Sequence, residues 1–346
     1  MAAEILVAVF GLSLLVIVHE LGHYLAARYF GMRVLRFAIG LGPTLISYRP
    51  KGSDTTFQIG AIPLMAYVMV AGMNPAEDVD PDDPELFPNK GVFARIVTIF
   101  GGPFANYLAA SVMVFGLALH GWLEHSTIEP MIVDRVEPRS PAAEAGLEVG
   151  DVIVEANGQA IENVEELIEV TKVRADQPTV YVVEREGKKL APMTITPKLI
   201  AERGVIGVTA RTKVDYVPMA LPDAAKLALE YPFALTMGNL YAIGDLIKRR
   251  TTEGITGPVG MGKIMAEQAE KGLFAFVHIL IAISVALGLF NLLPFPALDG
   301  GRLTFLGYEL ITRRRPNERI EMAVHAVGMI FLLSVIVLVT LRDMVG

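Results

Sequence analysis

Four runs of about twenty apolar residues decide most of what this chain can become. They lie at about 3–30, 93–122, 274–293 and 322–341. A helix needs about 20 such residues to cross a bilayer. Within hydrocarbon a continuous apolar run satisfies its backbone only as a helix. Composition agrees: 53% of the 346 residues are hydrophobic and only 19% are charged, an apolar excess that a soluble domain does not need. The expected fold is a polytopic α-helical membrane protein with about four transmembrane helices. The first run is read as a retained helix and not as a cleavable signal. Its start carries Glu4 and no basic residue, and the small pair Ala26-Ala27 follows two His and a Glu.

Two polar stretches interrupt the runs. Residues 31–92 alternate glycine, proline and strand-forming residues, as in Phe57-Gln58-Ile59-Gly60 and Tyr67-Val68-Met69-Val70. Short membrane-associated strands are expected there, followed by a solvated acidic loop from Glu77 to Glu85. Residues 127–213 form a separate α+β domain. Its expected elements are strands at Met131–Val136, Val152–Asn157, Thr179–Arg185 and Met193–Pro197, with helices at Pro141–Ala145 and Val164–Val173. Residues 220–273 mix apolar and charged residues and are expected as helices on the membrane surface. Residues 302–321 are expected as a loop.

Basic residues orient the runs. Arg28, Arg33, Arg36, Arg49, Lys51, Lys90 and Arg95 surround the first connection, and Arg302, Arg313, Arg314, Arg315 and Arg319 the last. Both connections are then cytoplasmic, and the stretch 122–273 faces outward. A net charge of −7 gives no reason to expect a nucleic-acid partner.

Ionisable residues inside an apolar helix are costly and usually serve a purpose. The first run holds His19-Glu20-Leu21-Gly22-His23. On a helix, His19 and His23 share a face and can bind one Zn²⁺. Glu20 points about 100° away, beside the metal, where it can take a proton from the attacking water. There is no cysteine, so further ligands must be His, Asp or Glu. The third run ends in Asn291-Leu292-Leu293-Pro294-Phe295-Pro296-Ala297-Leu298-Asp299-Gly300-Gly301. Its prolines break the helix and its glycines permit unusual backbone angles. Asp299 is the candidate third ligand, the alternative being a simple helix cap. Both motifs fall late in helices that run the same way, near the cytoplasmic leaflet.

His19–His23 and Asn291–Gly301 together resemble the paired signatures of the site-2 protease family of intramembrane metalloproteases. Further resemblance lies in Phe57–Leu64, in Gly102-Pro103-Phe104-Ala105-Asn106 and in Gly257-Pro258-Val259-Gly260. The arrangement is similar to the bacterial regulator-of-sigma branch. Met65-Ala66 depart from it, standing where relatives often carry two glycines. The resemblance implies one zinc per chain on His19, His23 and Asp299, with Glu20 as base and Asn291 in substrate handling or transition-state support. Asn106 is read as a helix-contact residue. The string Ser140–Ile153 followed by Asn157-Gly158 resembles a PDZ domain in the permuted bacterial order. Val205, Ile206, Gly207 and Val208 resemble the segment that captures a peptide carboxylate, although a steric filter over the active site is an equal alternative. Tyr67 and Val68 belong to an edge strand expected to hold substrate extended.

The expected function is therefore zinc-dependent intramembrane endopeptidase. The implied substrates are single-pass membrane proteins already trimmed by another protease, such as an anti-sigma factor or a remnant signal peptide. The implied place is the bacterial inner membrane, with the PDZ-like domain on the periplasmic side. Two alternatives have less support. A PDZ-bearing scaffold with a structural metal needs four protein ligands, and three are seen. A metal transporter needs an internal repeat or a second ligand cluster, and neither is present.

Overall fold

The computed structural model describes residues 2–74, 77, 79–127, 130–200, 203–249 and 256–345. Asp78 of the acidic run, residues 128–129 and 201–202 of the second polar stretch, and residues 250–255 lie outside the described residues. The chain forms two compact units, Met1–Leu119 with Met219–Gly346, and His120–Pro218.

The first unit begins with helix α1 (Ala2–Tyr29). Strands β1 (Val34–Tyr48) and β2 (Thr56–Val70) follow and pair antiparallel. Residues 36–39 are paired on both sides, with 66–69 and with 56–59. Each long strand therefore turns back, giving four short segments in the order 66–70, 34–39, 56–60, 44–48. Gly40 has φ of 87°, and a Cβ on Gly60 would meet Leu41 O at 2.7 Å, so this turn needs glycine on both strands. Residues 66–70 form one edge of the sheet.

Helix α2 (Val92–His120) packs on α1 in backbone contact. A Cβ on Gly22 would lie 2.0 Å from Gly101 O, and one on Gly101 would lie 2.6 Å from Gly22 O. Small residues at such a crossing let membrane helices approach closely. α2 stops at His120, two residues before the expected limit, because Trp122 already begins a strand.

The second unit is framed by β3 (Trp122–Thr127), which pairs with the last strand of the unit. Next come β4 (Val133–Val136), α3 (Pro141–Glu144), β5 (Val152–Ala156), β6 (Gln159–Ala160), α4 (Val164–Lys172) and β7 (Thr179–Arg185). Then follow β8 (Lys188–Lys189), β9 (Met193–Ile195), β10 (Lys198–Ile200), β11 (Arg203–Val205), β12 (Val208–Ala210) and β13 (Thr212–Val217). The main sheet runs β6-β5-β7-β8 with β9 beside β7, while β12 pairs with β4. Both helices start on side-chain caps. Ser140 accepts from the Ala143 amide, and Asn163 from the Glu166 amide. Val133, Ile153, Leu167, Tyr181, Val183 and Ile195 are fully buried between sheet and helices.

The first unit resumes with α5 (Leu221–Arg249), α6 (Pro258–Glu270), α7 (Leu273–Leu292), α8 (Asp299–Thr312) and α9 (Glu318–Val345). The loop expected at 302–321 is corrected: it is helical as far as Thr312. Long-range packing supplies the reason. Arg95 of α2 and Glu309 of α8 form a two-pronged ion pair, one prong at 3.0 Å, with side chains only 8% and 13% exposed. Leu306 of the same helix is buried with Ala27, Met32, Val34 and Val70. Among the described residues, four helices are long and apolar enough to cross a membrane: Val9–Tyr29, Val92–His120, Leu273–Leu292 and Arg319–Asp343.

Candidate active site

Three elements of the first unit converge on one cluster. α1 presents His19 and His23, one turn apart on the same face. Their rings stand 4.8 Å apart at 84°, and their Nε2 atoms are 3.2 Å apart. The start of α8 presents Asp299. Its Oδ2 lies 3.1 Å from His19 Nε2 and 3.3 Å from His23 Nε2.

Asp299 arrives there because α7 cannot continue. Pro294 and Pro296 follow its last turn, and the chain folds back on itself before α8 begins. A Cβ on Gly300 would lie 2.0 Å from Leu293 O, and one on Gly301 would lie 2.5 Å from Phe295 O. Only glycines permit that reversal. Ala297 has φ of 76°, and its amide donates to His325 Nδ1 at 3.0 Å. His325 thus ties the loop to α9.

The cluster fits zinc on two counts. Ligand atoms at about 2.0–2.1 Å around a tetrahedral ion lie about 3.3–3.4 Å from one another. A triangle with edges of 3.1, 3.2 and 3.3 Å is close to one face of that tetrahedron. Gly102 of α2 keeps the adjoining space open: a Cβ there would lie 2.4 Å from His23 Nε2 and 2.7 Å from His19 Nε2. Two imidazoles and one carboxylate are a donor set that zinc accepts, with a position left for water. Among the described residues this is the one His/Asp/Glu group close enough to hold a metal.

α2 also backs both imidazoles. His23 Nδ1 lies 2.8 Å from Thr98 O, and His19 Nδ1 lies 3.4 Å from Asn106 Nδ2. Thr98, Gly102 and Asn106 are spaced by four, so they share one face of α2. Sequence reasoning missed that stripe. The spacing was a usable signal, yet Gly102 stood only within a motif string, Asn106 was read as a helix contact and Thr98 was not singled out.

The remaining candidates are placed as follows. Glu20 Oε2 accepts a hydrogen bond of 2.9 Å from the Val68 amide. That N–H is therefore turned away from β1 and toward the cluster. The Tyr67 hydroxyl accepts from Arg36 Nη1 at 3.3 Å. Asn291 sits in the last turn of α7 and donates back to Leu287 O at 2.9 Å, with no bond to the cluster among the described residues. Val205, Ile206, Gly207 and Val208 belong to the second unit. There Ile206 O accepts from the Ala142 amide and Gly207 O from the Glu137 amide, each at 2.9 Å.

Comparisons with known proteins follow the same lines. The profile of peptidase family M50 matches residues 7–335. A Fusobacterium nucleatum protein named as a zinc metalloprotease is 33% identical over 345 residues, covering 98% of this chain and 97% of its own. Proteins of the same designation in Mesorhizobium japonicum and Campylobacter jejuni are 30% and 32% identical. They cover 97% and 98% of this chain, and 97% and 93% of their own. Among solved structures, the PDZ domain of an SdrC-like protein from Listeria monocytogenes is 23% identical, with a TM-score of 0.22. It covers 25% of this chain and 90% of its own.

Proposed function

The chain belongs to peptidase family M50 and is a zinc metalloprotease, and from that premise we propose an intramembrane endopeptidase with its zinc on His19, His23 and Asp299. One observation carries the reading: among the described residues the cluster has three ligand atoms, not four, with Glu20 next to it on the same helix turn. Structural zinc sites are closed by four ligands, so three leave the open position that catalysis needs.

The chemistry zinc supplies when bound is Lewis-acid polarisation of the scissile carbonyl and acidification of water. Glu20 takes the proton of the attacking water and later passes it to the leaving amine. The Val68 N–H holds one oxygen of Glu20, and the other has no hydrogen bond among the described residues. Asn291 lies at the end of α7, three residues before the first proline, and is assigned to substrate handling or support of the transition state.

A transmembrane substrate must be unwound first, because helix hydrogen bonds hide its carbonyls. The edge at 66–70 supports this step. It has no further strand partner among the described residues and is turned toward Glu20, so an extended peptide can add there by main-chain bonds. Tyr67 and Val68 are its proposed contacts. In the second unit, Val205–Val208 and β12 are proposed to receive a peptide chain end, since β12 is paired with β4 on one flank.

The substrates that fit are single-pass membrane proteins already cut outside the bilayer, such as anti-sigma factors or remnant signal peptides. The basic residues of both short connections favour an inner-membrane orientation with the site near the cytoplasmic leaflet and the second unit outside. Co-expression of a doubly tagged single-pass protein with wild type, Glu20→Gln and Asp299→Ala tests the reading. A fragment from wild type alone supports it, and the same fragment from Glu20→Gln sinks the assignment of the base.

A further inference from the structure

We propose that Asn106 is a positioning residue for His19: its side-chain carbonyl accepts the Nδ1 proton and so directs the Nε2 lone pair at the metal. This rests on the ligand assignment above.

The two histidines are backed by the same helix but by different groups. Behind His23 stands Thr98 O, 2.8 Å from Nδ1. A backbone carbonyl only accepts, so His23 carries its proton on Nδ1 and offers Nε2 as the ligand. Behind His19 stands the Asn106 amide, two turns further along α2, with Nδ2 at 3.4 Å from Nδ1. That end of the amide only donates. It would leave the His19 proton on Nε2, which points at Asp299 Oδ2 and His23 Nε2.

Two facts decide which end belongs there. Asn106 is fully buried, and its Oδ1 has no hydrogen-bond partner among the described residues. No other hydrogen bond among those residues ties either end of the amide, so the imidazole alone selects the end it faces. A half-turn about the Cβ–Cγ bond exchanges Oδ1 and Nδ2 with almost no change of shape. Oδ1 then meets Nδ1–H, and both ligand histidines have an acceptor behind them. The backbone beneath is held in place by α7, where the buried Ser284 donates to Asn106 O at 2.9 Å. The helix whose broken end leads into Asp299 thus also fixes the residue that orients His19.

Zinc affinity reads this directly. Full-length wild type, Asn106→Leu, Asn106→Asp and Asp299→Ala are purified in detergent, and zinc is titrated against a chelator of known affinity. Asp accepts but cannot donate, so Asn106→Asp should bind zinc within a few-fold of wild type. Asn106→Leu has no acceptor and should bind about 10–100-fold more weakly, as loss of a partner behind a metal ligand commonly does. Circular dichroism of the metal-free proteins checks the fold. Wild-type affinity in Asn106→Leu overturns the proposal, as does an Asn106→Asp variant as weak as Asn106→Leu. Wild-type affinity in Asp299→Ala would instead overturn the ligand set.

A second measurement needs no variant at Asn106. Nitrogen-15 spectra of histidine-labelled, zinc-loaded wild type should show His19 protonated on Nδ1, with that proton shielded from exchange with water. A His19 ring protonated on Nε2 overturns the proposal.

Discussion

The backbone amide of Val68 donates a hydrogen bond of 2.9 Å to Oε2 of Glu20. The edge of the sheet and the proposed catalytic base are therefore in direct contact. The N–H faces away from β1, and proline is tolerated where a strand N–H faces outward. Val68→Pro should fold, keep its zinc, and lose about 10–100-fold in turnover, the range seen when a partner behind a working group is removed. Zinc content and cleavage rate measured on one preparation check this. Unchanged turnover would mean that the amide does not position Glu20.

Gly102 tests the space beside the imidazoles. A methyl there would press on both Nε2 atoms, at 2.4 and 2.7 Å. The rings are held from behind at Thr98 O and Asn106, so they have little room to retreat. Gly102→Ala should bring zinc content close to zero in a folded protein, because alanine favours a helix over glycine. Gly116→Ala is the control on the same helix. A Cβ there meets nothing within 4 Å, and zinc content should not change.

The Arg95–Glu309 pair joins α2, which backs the histidines, to α8, which carries Asp299. Removing one partner of a buried ion pair leaves an uncompensated charge and typically costs about 3–5 kcal/mol. Arg95→Met should lower the thermal midpoint in detergent sharply. The double variant Arg95→Met with Glu309→Leu should recover much of the loss, because no lone charge remains. A double variant as unstable as the sum of its parts would contradict this.

In the second unit, burial works against the charged form of Asp151. Hydrogen bonds from Arg185 at 2.7 and 2.9 Å and from the Glu148 amide at 2.9 Å more than offset it. The carboxyl is held below the usual carboxylate value. A depressed value means that the stabilisation is complete above the unfolded carboxyl's pKa, about 3.9, and is lost as pH falls through the lower folded value. Hydrogen-exchange protection of the Gly146–Asp151 turn should be flat above about pH 5 and fall steeply below pH 4. Asp151→Asn should be weaker at neutral pH and show no such fall. Nearby, burial pushes the Tyr181 phenol up to about 12, so it stays neutral across this range.

Much of this was legible in local pattern. The apolar runs announced the long helices, because span length is a property of a single segment. His19 and His23 share a face through the helical period, and the two prolines before Asp299 announced the break after α7. What local pattern did not carry were contacts between distant segments. α8 looked like a loop because its charges lacked partners, and Arg95 lies 214 residues from Glu309. Asn106 looked like an ordinary helix contact, and His19 is 87 residues away from it. The double pairing of 36–39 was hidden because alternation shows that a segment is a strand, not how many neighbours it has. The Val68–Glu20 bond was equally out of reach, since a backbone amide leaves no mark in sequence.

Glu20, beside zinc on His19, His23 and Asp299, is proposed to drive hydrolysis at or within a membrane span. The most direct measurement uses wild type and Glu20→Gln, each reconstituted into lipid vesicles with a purified single-pass substrate. Zinc content and the masses of the products are determined on the same vesicles. One zinc per chain is expected in both proteins, and a product pair cut in or next to the span from wild type alone. The same products from Glu20→Gln, or cleavage by wild type that persists after zinc has been stripped, would contradict this.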